Sequence, residues 1–402
     1  MRRLLPVLLL ELVLAAIAHA AGAVGPAPTR SADPPSDAVL AELPFLASDE
    51  PNRIVVDLAP DGDTPLRLLV DTGAAASVLT PRYARKLGVS VRREKGTPYR
   101  RETRLGRDLQ FWVDIQSSDT ASKTGWEYGL LGGTFLREYV LELDFARRRI
   151  RFLDPERYRV PKKVDAENEA VLPLQIVGNR PIVDAAIGGE AVHLLLDTGA
   201  WQTGVLSGET ARTAGLEAAR LPGVRAGSVW GPVDVEFAEA PSLRLGPFEL
   251  TRVPLLVAPK GWYNQGSSTD SLLGYDVLAQ FTVRIDYPHR RLWLRRRADV
   301  ELTYAGVPYA AQRRAGLLVG SVPKGLAVLG LFPDSPATRL GILPGDVIVP
   351  VGGEDPAAFE PRALDAIAAG GEITVSRQIH GAWVDVPLPS SPGDPASDAP
   401  GR

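Results

Sequence analysis

The 402-residue chain has no cysteine, a single methionine and only four histidines. Without cysteine there is no disulfide, no thiolate nucleophile and no Cys-ligated zinc or iron–sulfur site. The histidines stand at 19, 193, 289 and 380 and never form a His-x-x-x-His pair. A histidine metal site or a Ser–His–Asp triad therefore has little to draw on. Neither charge is in excess: 45 basic residues face 48 acidic ones, for a net −3, which gives no reason to expect nucleic acid or anionic lipid as a partner. The apolar run Leu4–Ile17 is shorter than the ~20 residues of a membrane span and carries Glu11 in its middle. Carboxylates are the reactive groups that remain, and no metal or other cofactor is implied.

What is present suits a β-rich globular chain. Hydrophobic residues make up 45% of the sequence, and 39 glycines with 35 prolines supply many turns. At roughly 100 to 200 residues per domain, the length allows two to four domains. Residues 1–20 have a basic start at Arg2-Arg3, the apolar run, and Ala18-His19-Ala20 with small residues at −3 and −1. That is the pattern of a secretory signal cleaved before Ala21, and it predicts an exported protein, periplasmic or secreted, with no transmembrane span after cleavage. Residues 21–40 are rich in Pro, Ala and Ser and read as a linker.

Two segments repeat. RLLVDTGAAASVL (67–79) and HLLLDTGAWQTGVL (193–206) are near copies. GLLGGTFLREYVLELDFARRRIRF (129–152) and SLLGYDVLAQFTVRIDYPHRRLWL (271–294) align without a gap at an offset of 142, matching Gly132 with Gly274 and Asp144 with Asp286. Val55-Val56-Asp57 and Ile182-Val183-Asp184 precede the two Asp-Thr-Gly sequences at similar distances. Residues 41–160 and 161–298 are thus two copies of one compact β fold, with strands at 67–70, 139–143 and 149–153 and a short helix after each Leu-Leu-Gly, at 134–139 and 276–280.

Each Asp-Thr-Gly places a carboxylate where a buried strand turns, with glycine permitting close backbone approach and threonine offering a hydroxyl to a neighbouring backbone. If the two loops meet on a pseudo-twofold axis, Asp71 and Asp197 come within hydrogen-bonding distance. Like charges that close cannot both ionise, so the pair holds one shared proton. One carboxylate can then take a proton from water while the other donates to a carbonyl oxygen.

On these residues each lobe resembles a retropepsin-like aspartic protease domain, the family for which this dyad chemistry is already established. The chain is similar to bacterial proteins that join two such lobes to a PDZ domain. The resemblance implies a mainly β fold, two tandem β-barrel lobes forming a pseudo-twofold pepsin-like unit. It implies a catalytic pair Asp71 and Asp197, interlocking hydroxyls on Thr72 and Thr198, and structural glycines at Gly73, Gly199, Gly132 and Gly274. It further implies protein or peptide substrates.

Some positions depart from the family pattern. Retroviral enzymes follow Asp-Thr-Gly-Ala with carboxylates that hold the substrate main chain, where this chain has Ala75-Ala76 and Trp201-Gln202. Trp201 is then a candidate to line a pocket or partly fill the cleft. Pepsin-like relatives usually carry Ser or Thr at the positions of Ala74 and Ala200; losing that hydroxyl donor should raise the dyad's pKa values and place activity nearer about pH 5–6 than pH 2. The substrate-covering flap is expected within Gly96–Gly106, which includes Tyr99, or Gly223–Gly227.

Downstream, Phe332-Pro-Asp-Ser-Pro-Ala and Gly341-Ile-Leu-Pro-Gly-Asp-Val-Ile resemble the core of bacterial PDZ domains, giving an α+β domain at 299–388 with a helix near 361–369, strands at 372–378 and 383–388, and a disordered tail at 389–402. Such domains add a peptide C-terminus to a sheet edge. Gly316, Leu317 and Leu318 of GLLVG are the candidate carboxylate loop for a C-terminal peptide ligand. Asp61-Gly62-Asp63 lacks calcium-loop spacing and reads as a hairpin turn. The arginine runs at 147–149 and 295–297 read as solvated strand ends.

The expectation is an exported aspartic-type endopeptidase whose PDZ domain binds substrate or partner. The main rival is a non-catalytic peptide-binding or scaffold protein using the same cleft and groove. A serine peptidase is disfavoured because no Gly-Asn-Ser-Gly-Gly-like site is present.

Overall fold

A computed structural model describes residues 33–48, 52–59, 65–88, 99–106, 108–113, 129–161, 164–221, 223–226, 233–259, 271–298, 300–350 and 356–390. The signal-like segment, most of the linker, Asp61-Gly62-Asp63 and nearly all of the tail lie outside the described residues. The ordered chain reaches back into the stretch read as linker: Ser36–Ala38 form a 3-10 turn, Ala38 is fully buried, and the first strand begins at Val39.

The strands follow from short runs with one apolar face. Arg149–Leu153 buries Ile150 and Phe152 while Arg149 and Arg151 reach Glu42 on the neighbouring strand. In lobe 1 the strands are β1 (Val39–Pro44), β2 (Val55–Asp57), β3 (Arg67–Val70), β4 (Val78–Leu79), β5 (Tyr99–Glu102), β6 (Asp108–Val113), β7 (Gly129–Leu131), β8 (Val140–Asp144) and β9 (Arg149–Leu153). Lobe 2 contains β10 (Glu169–Val177), β11 (Arg180–Ile187), β12 (Glu190–Leu196), β13 (Gly204–Ser207), β14 (Arg225–Ala226), β15 (Val233–Asp234), β16 (Glu236–Leu245), β17 (Phe248–Ala258), β18 (Leu272–Leu273), β19 (Phe281–Asp286) and β20 (Arg291–Arg296).

The pairing order reveals the duplication in space. Lobe 1 runs β2-β3-β7-β4-β6-β5, and lobe 2 runs β11-β12-β18-β13-β17-β16. In each, the Leu-Leu strand lies parallel to the strand that delivers the aspartate and antiparallel to the strand that follows it. Helices at equivalent points, Pro81–Lys86 and Gly208–Thr213, are started by hydroxyl caps, Thr80 and Ser207. The helices after Leu-Leu-Gly, Gly133–Leu136 and Tyr275–Leu278, begin one residue earlier than the sequence suggests, with Gly132 and Gly274 as N-caps.

The lobes are joined by a shared sheet ordered β1-β9-β8-β19-β20-β10. At its centre β8 pairs with β19, and Glu142 lies directly opposite Arg284. Their side chains form a buried ion pair at 2.5 Å. The Arg284 guanidinium also donates to the Tyr158 hydroxyl at 2.6 Å and stacks 4.2 Å from the Trp293 ring centroid. A buried charge pair survives only when its remaining donors and acceptors are satisfied, and these contacts do that.

The C-terminal unit has its own core, with Leu317, Val328, Ile348, Leu364, Ile367 and Val375 buried together. Its strands are β21 (Thr303–Tyr304), β22 (Val307–Pro308), β23 (Leu317–Val322), β24 (Gly325–Leu331), β25 (Val347–Ile348), β26 (Ile373–Ile379) and β27 (Ala382–Leu388). The last five form one sheet in that order. Helices Tyr309–Ala315, Pro336–Arg339 and Pro356–Ala368 complete it. The unit packs directly on lobe 2: Tyr304, Tyr309 and Leu318 share an apolar cluster with Leu221, Val224 and Phe237. Phe237 and Phe332 meet edge to face at 5.4 Å, and Glu239 accepts from the Tyr309 hydroxyl at 2.6 Å and pairs with Arg313 at 3.2 Å.

Candidate active site

The two Asp-Thr-Gly loops meet between the lobes. Their lead-in strands are sealed by apolar burial, Leu68–Val70 on one side and Leu194–Leu196 on the other, each such side chain stabilising the fold by roughly 1.5–3 kcal/mol. Where each strand ends, its aspartate backbone N–H donates across to the Leu-Leu strand: Asp71 to the Leu131 carbonyl at 3.0 Å and Asp197 to the Leu273 carbonyl at 2.9 Å.

The threonines interlock across the axis. The Thr72 hydroxyl donates to the Leu196 carbonyl at 2.7 Å and accepts from the Thr198 N–H at 3.0 Å. The Thr198 hydroxyl donates to the Val70 carbonyl at 2.7 Å and accepts from the Thr72 N–H at 3.1 Å. Both threonines are fully buried, so each hydroxyl has replaced its water partners with backbone of the opposite lobe.

Gly73 and Gly199 are required for space. Neither has a positive φ. A Cβ on Gly199 would stand 2.6 Å from the Asp71 carboxyl carbon, and one on Gly73 would meet both Asp197 carboxylate oxygens at 2.6 Å. Each glycine therefore backs onto the opposite carboxylate, which places Asp71 and Asp197 side by side. Gly132 and Gly274 serve a different purpose. A Cβ there would collide with backbone of the Asp loops, 2.9 Å from the Ala74 carbonyl and 2.8 Å from the Ala200 carbonyl. The residues that follow donate into the same loops, Gly133 to the Ala74 carbonyl and Tyr275 to the Ala200 carbonyl, both at 2.8 Å.

The electrostatics suit a shared proton. Asp71 is pushed up to about 8, first by burial, then by the Asp197 charge and a hydrogen bond with Asp197. Opposing this, the Ala74 N–H donates to Asp71 Oδ1 at 2.8 Å, and the nearby Arg53 charge also favours the carboxylate. Asp197 Oδ1 accepts from the N–H groups of Gly199 at 2.8 Å and Ala200 at 3.2 Å. Alanine after Asp-Thr-Gly therefore leaves each carboxylate a backbone donor in place of a hydroxyl. Among the described residues no cluster of His, Asp and Glu could hold a metal ion.

Trp201 is half-buried, its ring edge-on to Tyr304 at 6.4 Å, and so leans on the C-terminal unit. Tyr99 opens β5, the edge strand paired with β6. Since β5 and β6 occupy the places of β16 and β17, the turn after β5 corresponds to the Gly246 turn of lobe 2. The part of the Gly96–Gly106 candidate upstream of Tyr99 lies outside the described residues. Gly223 leads into the β14–β15 hairpin. That hairpin directly precedes β16, and a Cβ on Gly223 would stand 3.2 Å from the Leu329 carbonyl of the C-terminal unit.

The Gly316–Leu318 loop differs most from expectation. Gly316 adopts φ +80° as it ends helix Tyr309–Ala315, and its carbonyl accepts from Phe332 N–H at 3.0 Å and Ser335 Oγ at 2.9 Å. Leu317 and Leu318 are fully buried, and Leu318 packs towards lobe 2. The next amide, Val319, donates to Gln312 Oε1 at 2.8 Å, while Gln312 Nε2 donates to the Tyr304 and Val307 carbonyls, both at 2.9 Å. One amide of β23, that of Val319, is thus already taken by Gln312, which in turn ties β23 to the Tyr304 and Val307 carbonyls.

Two features escaped the sequence reading. Asn-Arg occurs just before the first lobe strand in both copies, as Asn52-Arg53 and Asn179-Arg180. Asn52 Nδ2 donates to the Trp201 carbonyl at 2.8 Å and Asn179 Nδ2 to the Ala75 carbonyl at 3.2 Å, so each lobe grips the other's Asp loop. Arg53 adds a hydrogen bond to the Gly199 carbonyl. The repeated dipeptide was the available signal. The second feature is Asp276, fully buried beside the start of the C-terminal unit; its lobe-1 counterpart is Thr134, and that mismatch was the only hint.

No protein of curated function matches the chain in sequence. Among the solved structures that resemble part of it are two proteases. A retropepsin-like aspartic protease from Rickettsia conorii is 21% identical over 34% of this chain and 94% of its own, with a TM-score of 0.24. The EIAV protease complexed with the inhibitor HBY-793 is 25% identical over 25% of this chain and 85% of its own, with a TM-score of 0.20. Residues 183–277, which run from β11 through Asp197 to the Leu-Leu-Gly helix of lobe 2, match the aspartyl protease family model.

Proposed function

We propose that the chain is a single-chain aspartic endopeptidase in which Asp71 and Asp197 together activate one water molecule. The observation that carries this reading is the reciprocal threonine interlock with each glycine backing onto the opposite aspartate, which supports a dyad that neither lobe could form alone. The water oxygen attacks the scissile carbonyl carbon while the charged carboxylate takes its proton and the protonated one donates to the carbonyl oxygen. Collapse of the tetrahedral species breaks the C–N bond, and the leaving nitrogen takes up a proton from the dyad. The pair titrates as a unit, so base and acid roles belong to the dyad. Cleavage occurs in the cleft between the lobes, with polypeptide substrates.

The signal-like segment supports export to the periplasm or medium. The sequence motifs and the β23–β27 sheet order support a PDZ-type C-terminal unit. Its Val319 amide, already taken by Gln312, and its broad packing on lobe 2 favour a role in bracing the β14–β15 hairpin over capture of a free peptide C-terminus.

The test is cleavage of an unfolded protein substrate by residues 21–402 beside Asp71→Asn and Asp197→Asn. Each variant should lose activity by about 10³-fold or more, within the range for removing a general acid or base. An inactive wild type with equally folded variants would replace this reading with the peptide-binding scaffold.

A further inference from the structure

We infer that Asp276 is a positioning residue through which the C-terminal unit holds Arg53 and the second Asp loop against the dyad. The inference rests on the peptidase reading of that dyad. Asp276 lies on helix Tyr275–Leu278, directly after the Gly274 that supports the Asp197 loop. Its carboxylate is fully buried and ties three parts of the chain together. Asn52 Nδ2 donates to Oδ1 at 2.9 Å from lobe 1. The Ala305 N–H donates to Oδ2 at 2.8 Å and the Gly306 N–H to Oδ1 at 3.3 Å, and the Thr303 hydroxyl adds a further bond. All three of these last donors belong to the segment that enters the C-terminal unit.

The path from Asp276 to the dyad is short. Asn52 spends its amide on two acceptors, Asp276 and the Trp201 carbonyl of the second Asp loop. Its neighbour Arg53 donates to the Gly199 carbonyl, two residues after Asp197, and its charge favours the ionised form of Asp71. Asn52 holds φ +58°, and a Cβ on Gly306 would meet Asn52 Oδ1 at 3.1 Å, so the junction leaves Asn52 little freedom. Lobe 1 has no such knot. There Thr134 accepts from the Ser77 N–H at 3.0 Å, and Asn179 is engaged by the exposed Arg137 at 3.0 Å. A carboxylate stands at this position only in the lobe that carries the third unit. Burial pushes Asp276 up to about 6 in spite of its donors, a penalty that a side chain kept only for packing would not incur.

The experiment uses the full chain with Asp276→Ala and the milder Thr303→Val, which removes one donor at nearly constant shape. Two measurements are made: the pH–rate profile with an unfolded protein substrate, and backbone amide exchange without substrate. Loosening Arg53 should move the alkaline limb of the profile upward and lower kcat about tenfold with KM within about twofold, as expected for misplacement rather than lost binding. Exchange across 199–202 should rise about tenfold in Asp276→Ala and less, in the same direction, in Thr303→Val. Faster exchange confined to 303–306, with 199–202 and the alkaline limb unchanged, would overturn the inference. If Asp276→Ala does not fold, Thr303→Val decides alone. If the wild type cleaves nothing, the peptidase reading fails while exchange at 199–202 still decides whether Asp276 positions that loop.

Discussion

At equivalent points of the two lobes, Asn52 and Asn179 both sit in the left-handed region and both grip a carbonyl of the opposite Asp loop. From there the lobes part. In lobe 1 the gripped residue is the exposed Ala75, in an open loop. In lobe 2 it is Trp201, whose ring leans on Tyr304 and whose anchor continues through Asp276 into the C-terminal unit. One template thus yields a symmetric floor of Asp loops beneath an asymmetric surround. Symmetry is retained where two groups must face each other, and it is lost where a third unit has been attached.

The comparison can be broken most sharply at the glycines. Gly73→Ala and Gly199→Ala each push a methyl into the opposite carboxylate, so both should abolish peptide hydrolysis, by about 10³-fold or more. Unequal losses in initial rate would mean that the floor is less symmetric than the interlock indicates. Next in size is the shared sheet. Arg284→Leu removes the shorter of the two ion pairs of buried Glu142 and leaves it Arg151 at 3.1 Å, so it should cost up to about 3 kcal/mol, the low end for a broken buried pair, read by denaturant unfolding. Adding Glu142→Leu in the same chain should recover most of that loss. Smaller effects should follow from Thr72→Val and Thr198→Val, which leave a buried carbonyl and a buried N–H unmatched and cost about 1–3 kcal/mol each. Equal unfolding midpoints for the two variants would confirm that the interlock is balanced.

A further effect is a pH dependence. Asp71 is held above its unfolded value of 3.8, so the folded state keeps a proton that the unfolded state gives up. Its contribution to stability is complete below about pH 4 and is lost as pH rises through about 8. Thermal unfolding of wild type and Asp71→Asn at pH 4 and pH 8 should therefore show the variant gaining relative stability at the higher pH. Activity should fall over the same alkaline range as the shared proton leaves.

Much of the candidate site was legible because duplication wrote it twice. Asp-Thr-Gly and Leu-Leu-Gly each appear in both halves, and strands Arg67–Val70 and Arg149–Leu153 lie where alternation placed them. The proton-holding property of Asp71 was also anticipated, although its main cause is burial rather than the missing hydroxyl at Ala74. Residues that act across long separations were not legible. Nothing local marks Asn52 as a partner of Asp276, 224 positions away, or Gln312 as the acceptor for the Val319 amide of β23. A PDZ-like motif predicts a fold's edge and says nothing about whether the same chain already covers it. Glu142 and Arg284 occupy one position of the repeat, but only the β8–β19 register shows that they meet.

That register carries a consequence for pairing. Residues 142 and 284 are the same position of the repeat, and they face each other, so they lie on the pseudo-twofold axis itself. Were lobe 1 to associate with a second lobe 1, two glutamates would be buried face to face; two copies of lobe 2 would bury two arginines. One copy of each half instead sets Glu142 against Arg284, so this position favours the pairing of unlike halves over like ones.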